Sequence, residues 1–406
     1  MELKRYHSFC LCSLGGRFPA QATPVSEPFA PLVLLVNRPP LRSRGIFAVT
    51  CVDEALQGEG CCALLSAERQ AAPDWLRAFV AAHGATVLNT AFPRAFDVLL
   101  HKRPETGLRA VIVGLGDVGG SLLTALKLLG AEFSELSVYD ANEAQCLRYE
   151  AELNQVLSLQ DTPLPRVTLA DRATLFDCDV FLFTASRGVP PVGAEQTDVR
   201  MAQFARNRAL LREYAVLARQ ARFCGLFCQV SDPVDALSRV AFLESNRNAA
   251  GELDLQGLLP EQLRGFGLGV MAARAAYYAA REGIDFSDGR VYGPHGRGLV
   301  VANAPLAYDA ELSGQLTALT VQANLEIRAL GFKPYLAPAL SSAAVSLLRL
   351  LRSQPYYAAV PMGSAFFGCT CRQTAHGLLT AREPLHPALY ARICETHAAL
   401  EAFCYD

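Results

Sequence analysis

Short apolar runs separated by polar turns make up most of the chain, and their period changes near residue 108. Before that point, runs at 31–36, 46–52 and 61–65 follow a turn-rich opening that holds Gly15-Gly16, Pro19, Pro24 and Pro28. Residues 74–83 read as a helix and 95–100 as one more strand. The polar stretch His101-Lys-Arg-Pro-Glu-Thr-Gly107 predicts a boundary. Residues 1–107 are therefore expected to form a small α/β appendage, and no catalytic constellation is visible in it. From Leu108 the signals for strand and helix alternate. Arg109-Ala-Val-Ile-Val113 is a short apolar run closed by glycine, the profile of a strand buried on both faces. Residues 118–129 carry apolar side chains at helical spacing and stop at Gly130. Residues 136–139, 179–184 and 226–230 read as further strands, and 198–222 as mostly helical. This alternation predicts an α/β fold with a parallel, doubly wound sheet over 108–235. The remainder, 236–406, is richer in helix and is expected to form a second lobe.

Composition narrows the function classes. Of 406 residues, 51% are hydrophobic and 19% charged, enough to bury a sizeable core. Lys plus Arg is 37 against 39 for Asp plus Glu, with no long like-charge run, so nucleic acid is excluded as a partner. Mean hydropathy is +0.19, yet Pro31-Leu-Val-Leu-Leu-Val36 gives way at once to Asn37, Arg38, Pro39 and Pro40. No run approaches the roughly 18 apolar residues of a membrane span. The opening Met-Glu-Leu-Lys-Arg-Tyr-His lacks the charged-then-apolar order of a signal peptide, so a cytoplasmic protein without a membrane partner is expected. Thirteen cysteines, an odd number with several in apolar runs, fit a reducing compartment. The pairs Cys10/Cys12, Cys61/Cys62 and Cys369/Cys371 lack C-x-x-C spacing, and no metal site is expected.

The strongest local signal is Gly114-Leu-Gly-Asp-Val-Gly119, a G-x-G-x-x-G element between a strand and a helix. The first glycine allows a tight turn, the second a close approach of pyrophosphate, and the third tight packing of helix on strand. Leu115, Asp117 and Val118 complete a loop whose helix N-terminus offers N–H donors to phosphate. Asp140 ends the next strand, placed to accept from ribose hydroxyls. A carboxylate there repels a 2′-phosphate and no arginine follows it, which favours NAD over NADP. This is the Rossmann pattern. Thr184-Ala185-Ser186, at the end of a later strand, completes the expected cofactor set.

The chain also holds one histidine between His101 and His376, namely His295 in Gly293-Pro-His-Gly-Arg297. Its ordinary pKa lies near neutrality, which suits a proton carrier. Taken with Asp198-Val-Arg-Met-Ala-Gln-Phe-Ala-Arg-Asn207, Val230-Ser-Asp-Pro-Val-Asp235 and Gly265-Phe-Gly-Leu-Gly-Val-Met-Ala-Ala-Arg274, residues 108–406 resemble the lactate/malate dehydrogenase superfamily, motif by motif and in order. The resemblance implies an α+β C-terminal domain and an NAD-dependent oxidoreductase acting on a 2-hydroxy or 2-oxo carboxylate. It implies a homodimer or homotetramer. Arg274 would grip the substrate carboxylate. Arg200, on a closing loop, would polarise the carbonyl, and His295 would exchange a proton with its oxygen.

Two positions depart from the superfamily pattern. Met271 stands where an aspartate orients the histidine, and Asp232 stands where an asparagine donates to the substrate. One reading is that Asp232 reaches His295 and replaces the missing carboxylate. A second is that Asp232 receives a cationic amine or iminium group. A third is a non-catalytic, NAD-binding redox sensor. An NAD-dependent hydrolase of the related glycosidase type would need a metal, for which His295 and Asp232 supply two ligands and no cysteine clearly joins them. The loop 184–200 is longer than lactate or malate enzymes lead one to expect, so it does not choose between those substrates. Its Arg187 is a candidate second carboxylate binder.

Overall fold

The computed structural model describes residues 1–158, 163–187 and 199–405, the side chains of 199–202 excepted. Its strands are β1 (Leu3–Tyr6), β2 (Phe9–Ser13), β3 (Thr23–Pro24), β4 (Leu32–Val36), β5 (Ile46–Val49), β6 (Ala85–Asn89), β7 (Leu108–Val113), β8 (Phe133–Tyr139) and β9 (Arg166–Leu169). They continue with β10 (Val180–Phe183), β11 (Leu226–Gln229), β12 (Leu263–Gly265), β13 (Arg290–Tyr292), β14 (Val300–Ala302), β15 (Tyr356–Met362), β16 (Ala365–Thr374) and β17 (Gly377–Thr380). All but the β13–β14 hairpin join one sheet of 15 strands in the order β3-β1-β2-β4-β6-β5-β17-β16-β15-β12-β11-β10-β7-β8-β9.

The last six strands of that order are parallel, and in chain order they run 3-2-1-4-5-6 from β9 to β12. This is the doubly wound dinucleotide-binding topology, whose switch point lies between the first and fourth strands, here β7 and β10. The sequence explains the layering. Along β7, Ala110 and Ile112 enter one core and Val111 and Val113 the other, so a continuous apolar run feeds both faces. The helix Asp117–Leu129 covers one face, burying Leu122, Leu123 and Leu126.

Beyond β12 the sheet turns antiparallel through β15, β16 and β17, and then pairs with β5 of the first lobe at Leu378 and Phe47. The first lobe shares a core as well as an edge. Leu11, Val33, Leu35 and Leu88 lie in the same buried cluster as Val113, Phe183 and Phe227. Buried Arg94 donates to the carbonyls of Gly257 (3.1 Å) and Arg222 (2.7 Å).

Local predictions failed where the apolar run was short. Residues 95–100 are a helix, not a strand. Only Ala95 is fully buried, with Phe96, Val98 and Leu99 packed at the core's margin, and a six-residue stretch with one polar position, Asp97, does not distinguish the two periods. The run at 61–65 is a short 3-10 turn, Cys61–Leu64, and the turn-rich opening contains β1, β2 and β3. No helix among the described residues is long and apolar enough to cross a membrane.

Candidate active site

The loops leaving β7, β10, β11 and β12 converge at the carboxyl ends of the parallel strands. Gly114 follows β7 with φ +94°, and a Cβ there would collide with the backbone of Ala185. A Cβ at Gly119 would overlap the Gly114 carbonyl and crowd Thr184 Oγ1, whereas at Gly116 it would meet open space. Two glycines are thus demanded by the protein's own packing and the middle one faces outward, where a pyrophosphate would lie. Thr184 Oγ1 donates to the carbonyls of Val113 (2.9 Å) and Gly114 (2.5 Å), tying the β10 end to the loop. Asp140 accepts from Leu115 N (2.6 Å) and Asn142 N (2.8 Å), so one carboxylate braces the glycine loop from the second strand. Lys333, distant in sequence, pairs with Asp117 at 3.1 Å and brings a cation to the helix start. The donors, glycines and acid fit a dinucleotide.

Gly119→Ala is expected to destabilise the fold by about 1–3 kcal/mol. Melting temperatures of the two proteins check this; equal values would refute it.

A cavity of about 120 Å3 opens beside this loop, lined by Val118, Thr184, Ser186, Gln203, Asp232, Gly267, His295 and Ser342 among others. His295 Nδ1 lies 2.8 Å from the Gly267 carbonyl oxygen. A carbonyl only accepts, so Nδ1 carries the hydrogen and Nε2 points the other way. Gly267 is itself a packing requirement, because a Cβ there would press on the His295 Cβ. The His295 backbone N donates to Asp235 Oδ2 at 3.0 Å. Burial pushes Asp235 up to about 7, with that backbone donor pulling the other way.

Asp232 Oδ1 stands 3.9 Å from His295 Nε2, and its side chain is half exposed. The carboxylate is therefore on the outward side of the imidazole, while a backbone carbonyl occupies the inward side. Met271 is buried against Arg274, whose Nη1 lies 3.7 Å from its sulfur. Arg274 also donates to Asn324 Oδ1 on the helix Ala310–Ala329. Burial lowers its pKa, with Tyr278 and then the charge of Asp232 pulling the other way. Arg274 is not among the residues lining the small cavity. Arg200 falls in the first turn of the helix Val199–Gln220, and its side chain lies outside the described residues, as does the loop 188–198.

Several participants carried no individual signal in the sequence. Asn207, fully buried, accepts from Arg187 N (2.8 Å) and donates to the Asp232 carbonyl (2.7 Å), holding the β10 and β11 loops together. That bond engages the Arg187 backbone only. Ser342 donates to the Gly267 carbonyl (2.7 Å), the same oxygen that faces His295. Asp235 and Asn207 lie within motifs already singled out; Ser342 and the Gly267 carbonyl do not announce themselves. No group of three or more His, Cys, Asp or Glu side chains among the described residues could hold a metal ion.

The strand order, the glycine loop and the cavity at the strand ends define a Rossmann-type dinucleotide fold. More narrowly, the chain has the fold of lactate and malate dehydrogenases. A lactate dehydrogenase from a Medee basin deep-sea metagenome library is similar with a TM-score of 0.59 and 18% identity, covering 73% of this chain and 97% of its own. A minor L-lactate dehydrogenase from Enterococcus mundtii gives 0.60 and 18%, covering 74% and 98%. Malate dehydrogenase from Plasmodium falciparum gives 0.58 and 17%, covering 73% and 96%. The sequence matches no protein-family profile and no curated protein.

Proposed function

We propose that the protein is an NAD-dependent oxidoreductase of small 2-hydroxy or 2-oxo carboxylates. In this reading residues 108–235 bind the cofactor, 236–406 complete the substrate site, and 1–107 buttress the sheet. The observation that carries it is His295, tautomerically fixed by the Gly267 carbonyl, with Nε2 turned toward a cavity that abuts the glycine loop.

When bound, the nicotinamide supplies or accepts a hydride. Gly114, Gly116 and Gly119, with Leu115, Asp117 and Val118, would hold the pyrophosphate, and Asp140 the adenosine ribose. Thr184, Ala185 and Ser186 would flank the nicotinamide end. His295 donates a proton from Nε2 to the substrate carbonyl oxygen and returns to the neutral form with hydrogen on Nδ1. A thioether at Met271 cannot balance the imidazolium, and a carbonyl dipole does so only partly. Asp232, at 3.9 Å, supplies the counter-charge from the outward side. Arg274 attracts the substrate carboxylate, and Arg200 polarises the carbonyl. Exposed Leu325, Ile327, Leu330, Phe332 and Leu336 support assembly as a homodimer or homotetramer. The free thiols support a cytoplasmic setting.

The test is NADH oxidation across a panel of 2-oxo acids. At least one should turn over, and Asp232→Asn should lower turnover on it by about tenfold. Unchanged activity in that variant would sink the compensating role. The half-exposed carboxylate of Asp232 also favours a second reading, an amine or imine substrate. Turnover of 2-oxo acids only with ammonium or an amine added would select it. NADH binding without any turnover would favour a redox sensor.

A further inference from the structure

A second cavity, of about 770 Å3, lies on the other side of the wall that bounds the first. Ser342 faces the small cavity and its neighbour Ser341 the large one, so the segment Pro338–Val345 separates them. Ala272 and Ala273, on the helix Leu268–Arg281 that also carries Arg274, contribute an apolar side.

Its charge is lopsided. Arg290 from β13, Arg349 from the helix Ser346–Leu351, Arg372 from β16 and Arg382 just after β17 all reach it, and Glu383 is the one acid among its lining residues. Two of these arginines face carboxylates. Arg290 Nε is 3.5 Å from Glu383 Oε1, and Arg382 bonds to Gln57 and the Leu65 carbonyl while lying 3.6 Å from Glu54. Arg349 bonds only to the Pro355 carbonyl. Neither Arg349 nor Arg372 has a carboxylate within ion-pair distance among the described residues. Arg290 and Arg349 line this cavity together with the phenol of Tyr357.

Planar guanidinium forks bind carboxylate and phosphate oxygens bidentately, and the two without a carboxylate, Arg349 and Arg372 on separate elements, match more than one anionic group. A volume in the range of roughly 300–1,000 Å3 holds a small organic molecule. We propose that this cavity binds a small polyanionic metabolite, a phosphate ester or a polycarboxylate, with Arg349 and Arg372 as its uncommitted anion contacts.

The experiment is calorimetric titration of the full chain with pyrophosphate and, separately, with citrate, at ionic strength held constant with sodium chloride. Saturable binding of at least one probe is expected. Pyrophosphate alone would mark a phosphate site and citrate alone a polycarboxylate site. In the Arg349→Gln/Arg372→Gln double variant, affinity should fall at least tenfold, since each lost charge-assisted bond is worth about tenfold. If the double variant fails to fold, Arg372→Gln alone is measured, because no described side chain depends on it. Three results would overturn the proposal: no saturable binding of either probe, binding that survives these substitutions, or displacement of the probe by NADH, which would put it in the glycine loop instead.

Discussion

His295→Ala should lower turnover of the preferred 2-oxo acid by about 10³-fold while leaving stabilisation by NADH unchanged. The two readouts separate because the histidine touches none of the glycine loop. Its ring is held by the Gly267 carbonyl, just past β12, and its backbone N by Asp235, in the first turn of the helix Val234–Ser245. General acid–base groups contribute roughly 10²–10⁴ in rate, and the middle of that range is expected here. Steady-state kinetics beside thermal shifts measure both effects. Turnover within threefold of the parent would remove His295 from the mechanism. Loss of the NADH shift would mean that the substitution had damaged the fold around β12.

The sequence made the glycine loop legible because its requirement is local. Gly114 needs a positive φ and Gly119 needs the absence of a Cβ, and both demands arise within a single strand-turn-helix unit. The neighbourhood of His295 was harder. Asp232 and His295 are far apart in the chain, and only the resemblance to a superfamily set them side by side. That Nδ1 faces a backbone carbonyl had no signature at all, since every residue carries one. In the C-terminal lobe the helical impression concealed β15, β16 and β17. Their apolar stretches are interrupted by Gly363, Gly368 and Gly377, and their pairing is with distant strands. The join between β17 and β5 depends on two edges meeting, which no window of sequence contains. The charged residues that fasten the first lobe, Arg94 and Glu261, lie in no motif of the sequence. Their burial follows from carbonyls and N–H groups that the fold leaves facing inward.

Glu261 is where that fastening is most exposed to test. It sits in the short turn Pro260–Gln262 before β12, and its carboxylate accepts from Gly45 N (2.9 and 3.0 Å) and Ile46 N (3.0 Å) at the start of β5. Glu261→Ala would leave two backbone N–H groups without acceptors, at a cost of about 2–5 kcal/mol. Trp75 is the single tryptophan and lies in the first-lobe helix Asp74–His83, so its fluorescence reports the unfolding of this lobe. The urea midpoint read by Trp75 should fall accordingly. The pH dependence carries a distinct signature. Burial pushes Glu261 up to about 7, against the pull of the Ile46 and Gly45 donors and Arg44, while in the unfolded chain it titrates near 4.5. Between those values the native state holds a proton that the unfolded state has released. Stability from this group is therefore complete below about 4.5 and is lost as pH rises toward 7, with a limiting slope of about 1.4 kcal/mol per unit. Asp235 titrates in the same window and in the same direction, so the parent's curve alone does not isolate the effect. Glu261→Gln cannot ionise and keeps an acceptor oxygen for the two N–H groups. Its stability should fall less steeply than the parent's between pH 5 and 7, and the gap between the two curves should shift by about 2–3 kcal/mol across that interval. Parallel curves for the parent and Glu261→Gln would show that the buried carboxyl does not set the stability of the seam.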